Sequence, residues 1–173
     1  MAEITVDRVR MFLTEVGQQY QQPALLLLLG GSALCLLGST RATLDIDYVG
    51  HDLHKDDLQK VIDQVAEKMQ LDVEAVPIDE FVPLPEDAQA RRLPFGEFGA
   101  IEVSILDPYT IALSKLDRGF DTDLEDVLFL LRQGLVQVGQ LERVVETAIT
   151  RAQEFDLDPQ AISEHLQAVR DQL

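Results

Sequence analysis

Between Gly30 and Asp47 three groups of residues fit together chemically: Gly30-Gly31-Ser32, Arg41, and the pair Asp45-x-Asp47. Asp45 and Asp47 stand among Leu44, Ile46, Tyr48 and Val49, where a carboxylate must be solvated, paired or metal-bound. On a strand, residues i and i+2 share a face, so both carboxylates can reach one hard cation. Magnesium takes one or two carboxylates together with phosphate oxygens, and that is the natural use of such a pair. The glycine turn complements it. Glycines let a phosphate approach the backbone, and a helix start offers free N–H donors. Ser32 adds a hydroxyl. Arg41 either grips a terminal phosphate through two contacts or neutralises Asp45. The spacing alone decides little in a chain with 31 acidic residues among 173. Asp121-x-Asp123 and Asp156-x-Asp158 have the same spacing and read as solvated loop charges.

The surrounding elements must hold these groups in place. Ala24–Leu29 is an apolar run of strand length, bounded by Pro23 and the glycines, as in a central strand buried on both faces. Ser32–Leu37 follows as a short helix ending at Gly38. Thr43–Val49 alternates, with Leu44, Ile46 and Tyr48 on one face and the two aspartates on the other. Before this unit, Thr5–Gln19 has near-helical spacing of Val6, Val9, Met11, Phe12 and Val16. After it, Asp52 or His54 is expected to cap a helix striped by Leu58, Val61, Ile62, Val65 and Met69. Leu71–Val76 is a short strand. Pro77–Pro94, with four prolines, reads as a loop or a loosely paired strand, and a turn is expected around Gly96–Gly99. Ile101–Leu106 alternates as a strand. Asp107-Pro108 opens a helix to about Leu116, and Thr122 is expected to cap another with Glu125 completing the box. Two amphipathic helices follow, about Val138–Gln153 and Asp158–Gln172. This order predicts an α/β fold with a mixed sheet flanked by helices and a helical C-terminal part. The expected division is a domain over residues 1–135 with the amphipathic helices of 136–173 packed on it.

The formal charge is −17, from 14 basic and 31 acidic residues. That balance argues against broad binding to nucleic acid or to an anionic membrane surface, and it suits a basic protein partner. The Leu25–Leu37 segment is too short to span a membrane and is broken by its glycines. With one cysteine, Cys35, no intramolecular disulfide forms, which fits a cytoplasmic protein. Cys35 itself reads as a small buried hydrophobe.

The pattern Gly30-Gly31-Ser32, Arg41, Asp45-x-Asp47 resembles the nucleotidyltransferase superfamily, and within it the minimal nucleotidyltransferases and abortive-infection nucleotidyltransferase toxins. Lys115-Leu116, Arg118 and Asp123 to Asp126 resemble a later motif of that branch. The resemblance implies transfer of a nucleoside monophosphate from a nucleoside triphosphate with Mg2+. It implies Asp45 and Asp47 as metal ligands, with Glu102 as the third carboxylate. Phosphate contacts would come from Gly30, Gly31, Ser32 and Arg41. Lys115 would touch nucleotide phosphate or the acceptor, and Asp123 and Asp126 would complete the toxin-type motif.

Plainer roles stand beside these. Glu102 fits the exposed face of an edge strand. Lys115 fits a solvent-facing helix lysine paired with Asp107 or Asp123. Asp123 and Asp126 fit helix capping and compensation of the helix dipole. His51-x-x-His54 fits a helix start, and His165 a surface position. The expected function is NMP transfer to an RNA or protein acceptor within a toxin–antitoxin or antiphage pair. A tRNA acceptor is disfavoured by the acidic charge unless Arg91, Arg92, Lys115 and Arg118 form a basic rim. The alternative is a catalytically inactive module that binds a nucleotide or a basic protein, in the manner of an antitoxin. The oligomeric state stays open.

Overall fold

A computed structural model describes residues 3–51, 53 and 55–173. The chain forms two units: residues 1–77 with 93–106, and residues 78–92 with 107–173.

The first unit holds the sheet. Helix α1, Val6–Gln19, is capped by Thr5, whose hydroxyl accepts the Arg8 N–H at 3.2 Å. Strand β1, Ala24–Leu29, matches the apolar run. Helix α2, Gly30–Leu36, begins on the first glycine, two residues earlier than its apolar pattern predicts. Gly30 turns the chain out of β1 with φ +73°, a conformation glycine takes without strain. Strand β2, Asp45–Val49, starts at the first aspartate rather than at Thr43. Helix α3, Asp57–Met69, is capped by Asp56, which forms a reciprocal capping box with Gln59. The caps expected from Asp52 or His54 lie outside the described residues. Strand β3, Asp72–Val76, follows. Strands β4, Leu93–Phe98, and β5, Ile101–Ile105, complete a five-stranded mixed sheet of order β3-β2-β1-β5-β4. β4 starts at the end of the stretch read as a loop or loosely paired strand and runs on to Phe98, so the turn falls at Gly99, the last residue of the expected range, with φ +62°. β1 is parallel to β5 and antiparallel to β2, while β2 and β3 run parallel across the α3 crossover.

Register divides the sheet into two faces. Leu26, Leu28, Ile46, Tyr48, Ile101, Val103 and Ile105 share one face and are buried. They form the unit's core together with Val9, Phe12, Leu13 and Val16 of α1 and Ile62 and Val65 of α3. α1 crosses β4 so closely that a Cβ on Gly17 would stand 2.3 Å from the Phe98 carbonyl oxygen. The opposite face carries Leu25, Leu27, Leu29 and Ser104 with six carboxylates: Asp45, Asp47, Asp72, Glu74, Glu97 and Glu102.

The second unit is helical. It contains α4, Ile78–Phe81, inside the stretch read as loop, then α5, Pro108–Arg118, and α6, Asp121–Arg132. α7, Val138–Ile149, stops short of Gln153 and is followed by the single turn α8, Ala152–Phe155, and by α9, Pro159–Arg170. α7 and α9 pack on α5, and α9 also on α6. Asp107 caps α5, accepting from Tyr109 N and the Thr110 hydroxyl, with Pro108 in the first turn as its missing N–H allows. Thr122 does not cap α6. The helix begins earlier, and Asp123 reaches back to accept the Phe120 N–H at 3.2 Å. No helix among the described residues is long and apolar enough to cross a membrane.

Candidate active site

The site grows from the end of β1. The chain leaves a buried strand, turns on Gly30, and starts α2 beside β2. Because β2 is antiparallel to β1, with Leu29 opposite Asp47, the aspartates emerge beside that turn. The closeness explains the two glycines. A Cβ on Gly30 would stand 2.2 Å from Asp47 Oδ2, and one on Gly31 would stand 2.7 Å from Thr43 Oγ1 and 3.3 Å from an Arg41 terminal nitrogen. Either side chain would push into the carboxylate or the guanidinium.

Asp45 and Asp47 are half-buried on one face of β2. The parallel register sets Glu74 of β3 directly opposite Asp47, and Asp72 opposite Asp45. Asp45, Asp47 and the exposed Glu74 each bring a carboxylate oxygen within 4.8 Å of the others. Directly opposed like charges destabilise a sheet. Three hard oxygen donors at this spacing fit one hard divalent cation, which would relieve that repulsion. The Thr43 hydroxyl lies 3.5 Å from Asp45 Oδ1. Arg41, Thr43, Asp45, Asp72 and Glu74 line an open recess of about 650 Å³, so one guanidinium stands at the edge of a carboxylate-rich opening.

Glu74 takes the place expected of Glu102. Glu102 lies on β5 with β1 between it and β2, opposite Leu25 on one side and Glu97 on the other. Four residues along β1 and two strand spacings separate it from Asp47, about 16 Å in all, too far to share a metal. A signal for Glu74 exists in the sequence. Strand, helix, strand over Asp45–Val76 is the pattern of a parallel crossover, and Glu74 holds an alternating position in its second strand. Ser32 also differs from expectation. It is fully buried and its hydroxyl points back to the Leu29 carbonyl at 3.4 Å, away from a bound phosphate.

Lys115, Asp123 and Asp126 belong to the second unit and meet one another there. Lys115 is buried, not solvent-facing, with its Nζ 2.8 Å from Asp126 and 3.7 Å from Asp123. Arg118 closes the group, its Nε donating to Asp123 Oδ2 at 3.2 Å. Two cations and two carboxylates balance each other. Arg91 is likewise committed, gripping the buried Asp107 through two hydrogen bonds of 2.9 and 2.8 Å, so it is not a free member of a basic rim. His165 is half-buried against Gly119 and its Nδ1 bonds the Leu116 carbonyl, in place of the expected surface position. Burial lifts the neighbouring Asp117 carboxyl above its ordinary range, and His165 partly offsets this. Cys35 is half-buried, and burial together with Glu3 raises its thiol.

No curated protein and no solved structure matches the chain. A family model described as "Nucleotidyltransferase of unknown function (DUF6036)" matches residues 6–166, which takes in the glycine turn, the carboxylate cluster and the Lys115 to Asp126 segment. Over nearly its whole length, then, the chain belongs to this nucleotidyltransferase family.

Proposed function

We propose that this protein transfers a nucleoside monophosphate from a nucleoside triphosphate to an acceptor hydroxyl, with Mg2+ held by Asp45, Asp47 and Glu74. The observation that carries this reading is the convergence of those three carboxylates beside a helix start cleared by two glycines. The acceptor oxygen bonds to the α-phosphorus as the bond to the pyrophosphate oxygen breaks, and the acceptor proton leaves to a base. Glu74, the exposed member of the cluster, is placed to take that proton at a carboxylate oxygen. The backbone N–H of Gly31, in the first turn of α2, has no partner within the helix and donates to a phosphate oxygen. Arg41, beside Gly31, adds a fork of donors for the leaving pyrophosphate. Bound magnesium would neutralise triphosphate charge and make the acceptor hydroxyl easier to deprotonate. The charge of −17 favours a basic protein as acceptor over RNA, as in a cytoplasmic toxin–antitoxin or antiphage pair.

The test incubates the protein with α-labelled nucleoside triphosphates, Mg2+ and candidate protein and RNA acceptors, beside an Asp45→Asn/Asp47→Asn variant. Transfer of label by the wild type alone is expected. Nucleotide binding by calorimetry with no transfer to any acceptor would overturn the catalytic reading and leave a binding module.

A further inference from the structure

The second unit contains a cavity of about 350 Å³ that the transfer reaction does not use. One wall is the Pro83-Leu84-Pro85 stretch, and the other is α7 with Arg143, Val144 and Ala148. Both walls are preformed. Proline fixes the backbone of the first, and helical hydrogen bonds fix the second. The volume is at the small end of ligand pockets, enough for one ring system with a substituent.

Arg91 lines the cavity in a locked position. Its Nε and one terminal nitrogen grip the fully buried Asp107, and its guanidinium lies 4.7 Å from the Tyr109 ring centre. Asp107 offsets its charge, but only two of its five N–H donors are used in that grip, and the others are left as hydrogen-bond donors for the cavity. A donor group held this way loses little freedom when it meets a ligand. Arg143 brings the cation, and the partner of its terminal nitrogen is the neutral Gln140 at 2.8 Å. Arg151, at the far end, is neutralised by a two-pronged contact with Glu154. Glu86 and Asp87 stand at the lip, so a ligand carrying more than one negative charge would be repelled there.

We propose that this cavity binds a small organic oxyanion: one carboxylate or phosphate held by Arg91 and Arg143, carried on a flat apolar body that lies between Pro83, Leu84 and Val144. The site needs neither a metal nor the sheet carboxylates.

The experiment titrates the Asp45→Asn/Asp47→Asn variant, in EDTA, with cyclic adenosine monophosphate, a monoanion, and with benzoate, following amide shifts by NMR. Saturable shifts confined to the 83–91 stretch and α7 are expected for at least one of them, and which one binds separates phosphate from carboxylate. Adenosine, which lacks the anion, and inorganic phosphate, which lacks the body, should bind at least about tenfold more weakly. Arg143→Ala should weaken binding at least about tenfold. Thr147→Trp, at an exposed α7 position lining the cavity, should block it. No saturable shift with either probe, or shifts unchanged in both variants, would overturn the proposal. Transfer activity plays no part in the readout.

Discussion

On β2 and β3 carboxylates face carboxylates, with Asp45 opposite Asp72 and Asp47 opposite Glu74. On α5 and α6 each carboxylate faces a cation, with Lys115 against Asp126 and Arg118 against Asp123. The second arrangement is complete as it stands. Its charges are mostly buried and paired, and removing one partner strands the other in a poor solvent for charge. In the first arrangement opposed like charges on a sheet repel. A divalent cation among Asp45, Asp47 and Glu74 would relieve that repulsion. The contrast sets carboxylates paired within the helices beside carboxylates that could hold a metal ion, although both groups are acidic and both fall in motif-like sequence.

The sharpest way to break this contrast is the Asp45→Asn/Asp47→Asn variant. Transfer should fall by about 10³-fold or more, while the urea unfolding midpoint stays level or rises. Mg2+ should raise the thermal midpoint of the wild type and leave that of the variant unmoved. A clear loss of stability in the variant would mean that these aspartates are structural after all.

The converse substitution is Lys115→Met. It should cost about 3–5 kcal/mol in urea denaturation, because Asp126 and Asp123 stay buried without their ammonium partner. A cost below about 1 kcal/mol would put Lys115 with the ligand-seeking residues instead. Next in size is the pair Glu74→Gln and Glu102→Gln. The first should lower kcat by about 10²-fold, as expected for loss of a general base. The second should stay within about twofold, given its distance from Asp47. Equal effects would restore Glu102 to the site.

Gly30→Ala tests the backbone that joins strand to site. A left-handed φ and an encroaching Asp47 carboxylate should together cost about 1–2 kcal/mol of stability, with reduced transfer. The smallest effect concerns Asp117. Its folded carboxyl sits above the ordinary value, so the native state holds the proton more tightly than the unfolded chain. Stability from this group is therefore greatest in acid and declines as pH rises from about 3.8 through the folded value. Asp117→Asn should flatten that decline in a pH series of unfolding midpoints.

Much of the fold was legible locally. The run of leucines between Pro23 and Gly30 marks β1 to the residue, and Thr5 marks the start of α1. Asp45 and Asp47 stand out because carboxylates alternate with Ile46 and Tyr48. What stayed hidden depends on register between distant segments. Glu74 acquires meaning only when β3 lies beside β2, and that pairing is a tertiary fact. Glu102 lies in an equally good strand but on the wrong side of β1. β4 was obscured by Pro94 and Gly96, residues that argue against a strand, and the sheet absorbs them at an edge with a register shift between them. Lys115 reads as an ordinary surface lysine until α6 folds against α5.

The sheet ends in two edge strands, β3 and β4, each a ready template for a stray strand. β3 presents Asp72 and Glu74 in five residues, and β4 presents Pro94 and Glu97 with its irregular register. Two copies meeting β3 to β3 would bring four carboxylates together, and at β4 the proline supplies no N–H for the new ladder. Charges that could hold a metal thus also oppose edge-to-edge pairing with another copy. Neutralising Glu74 to probe the chemistry would, by the same token, make the protein easier to aggregate.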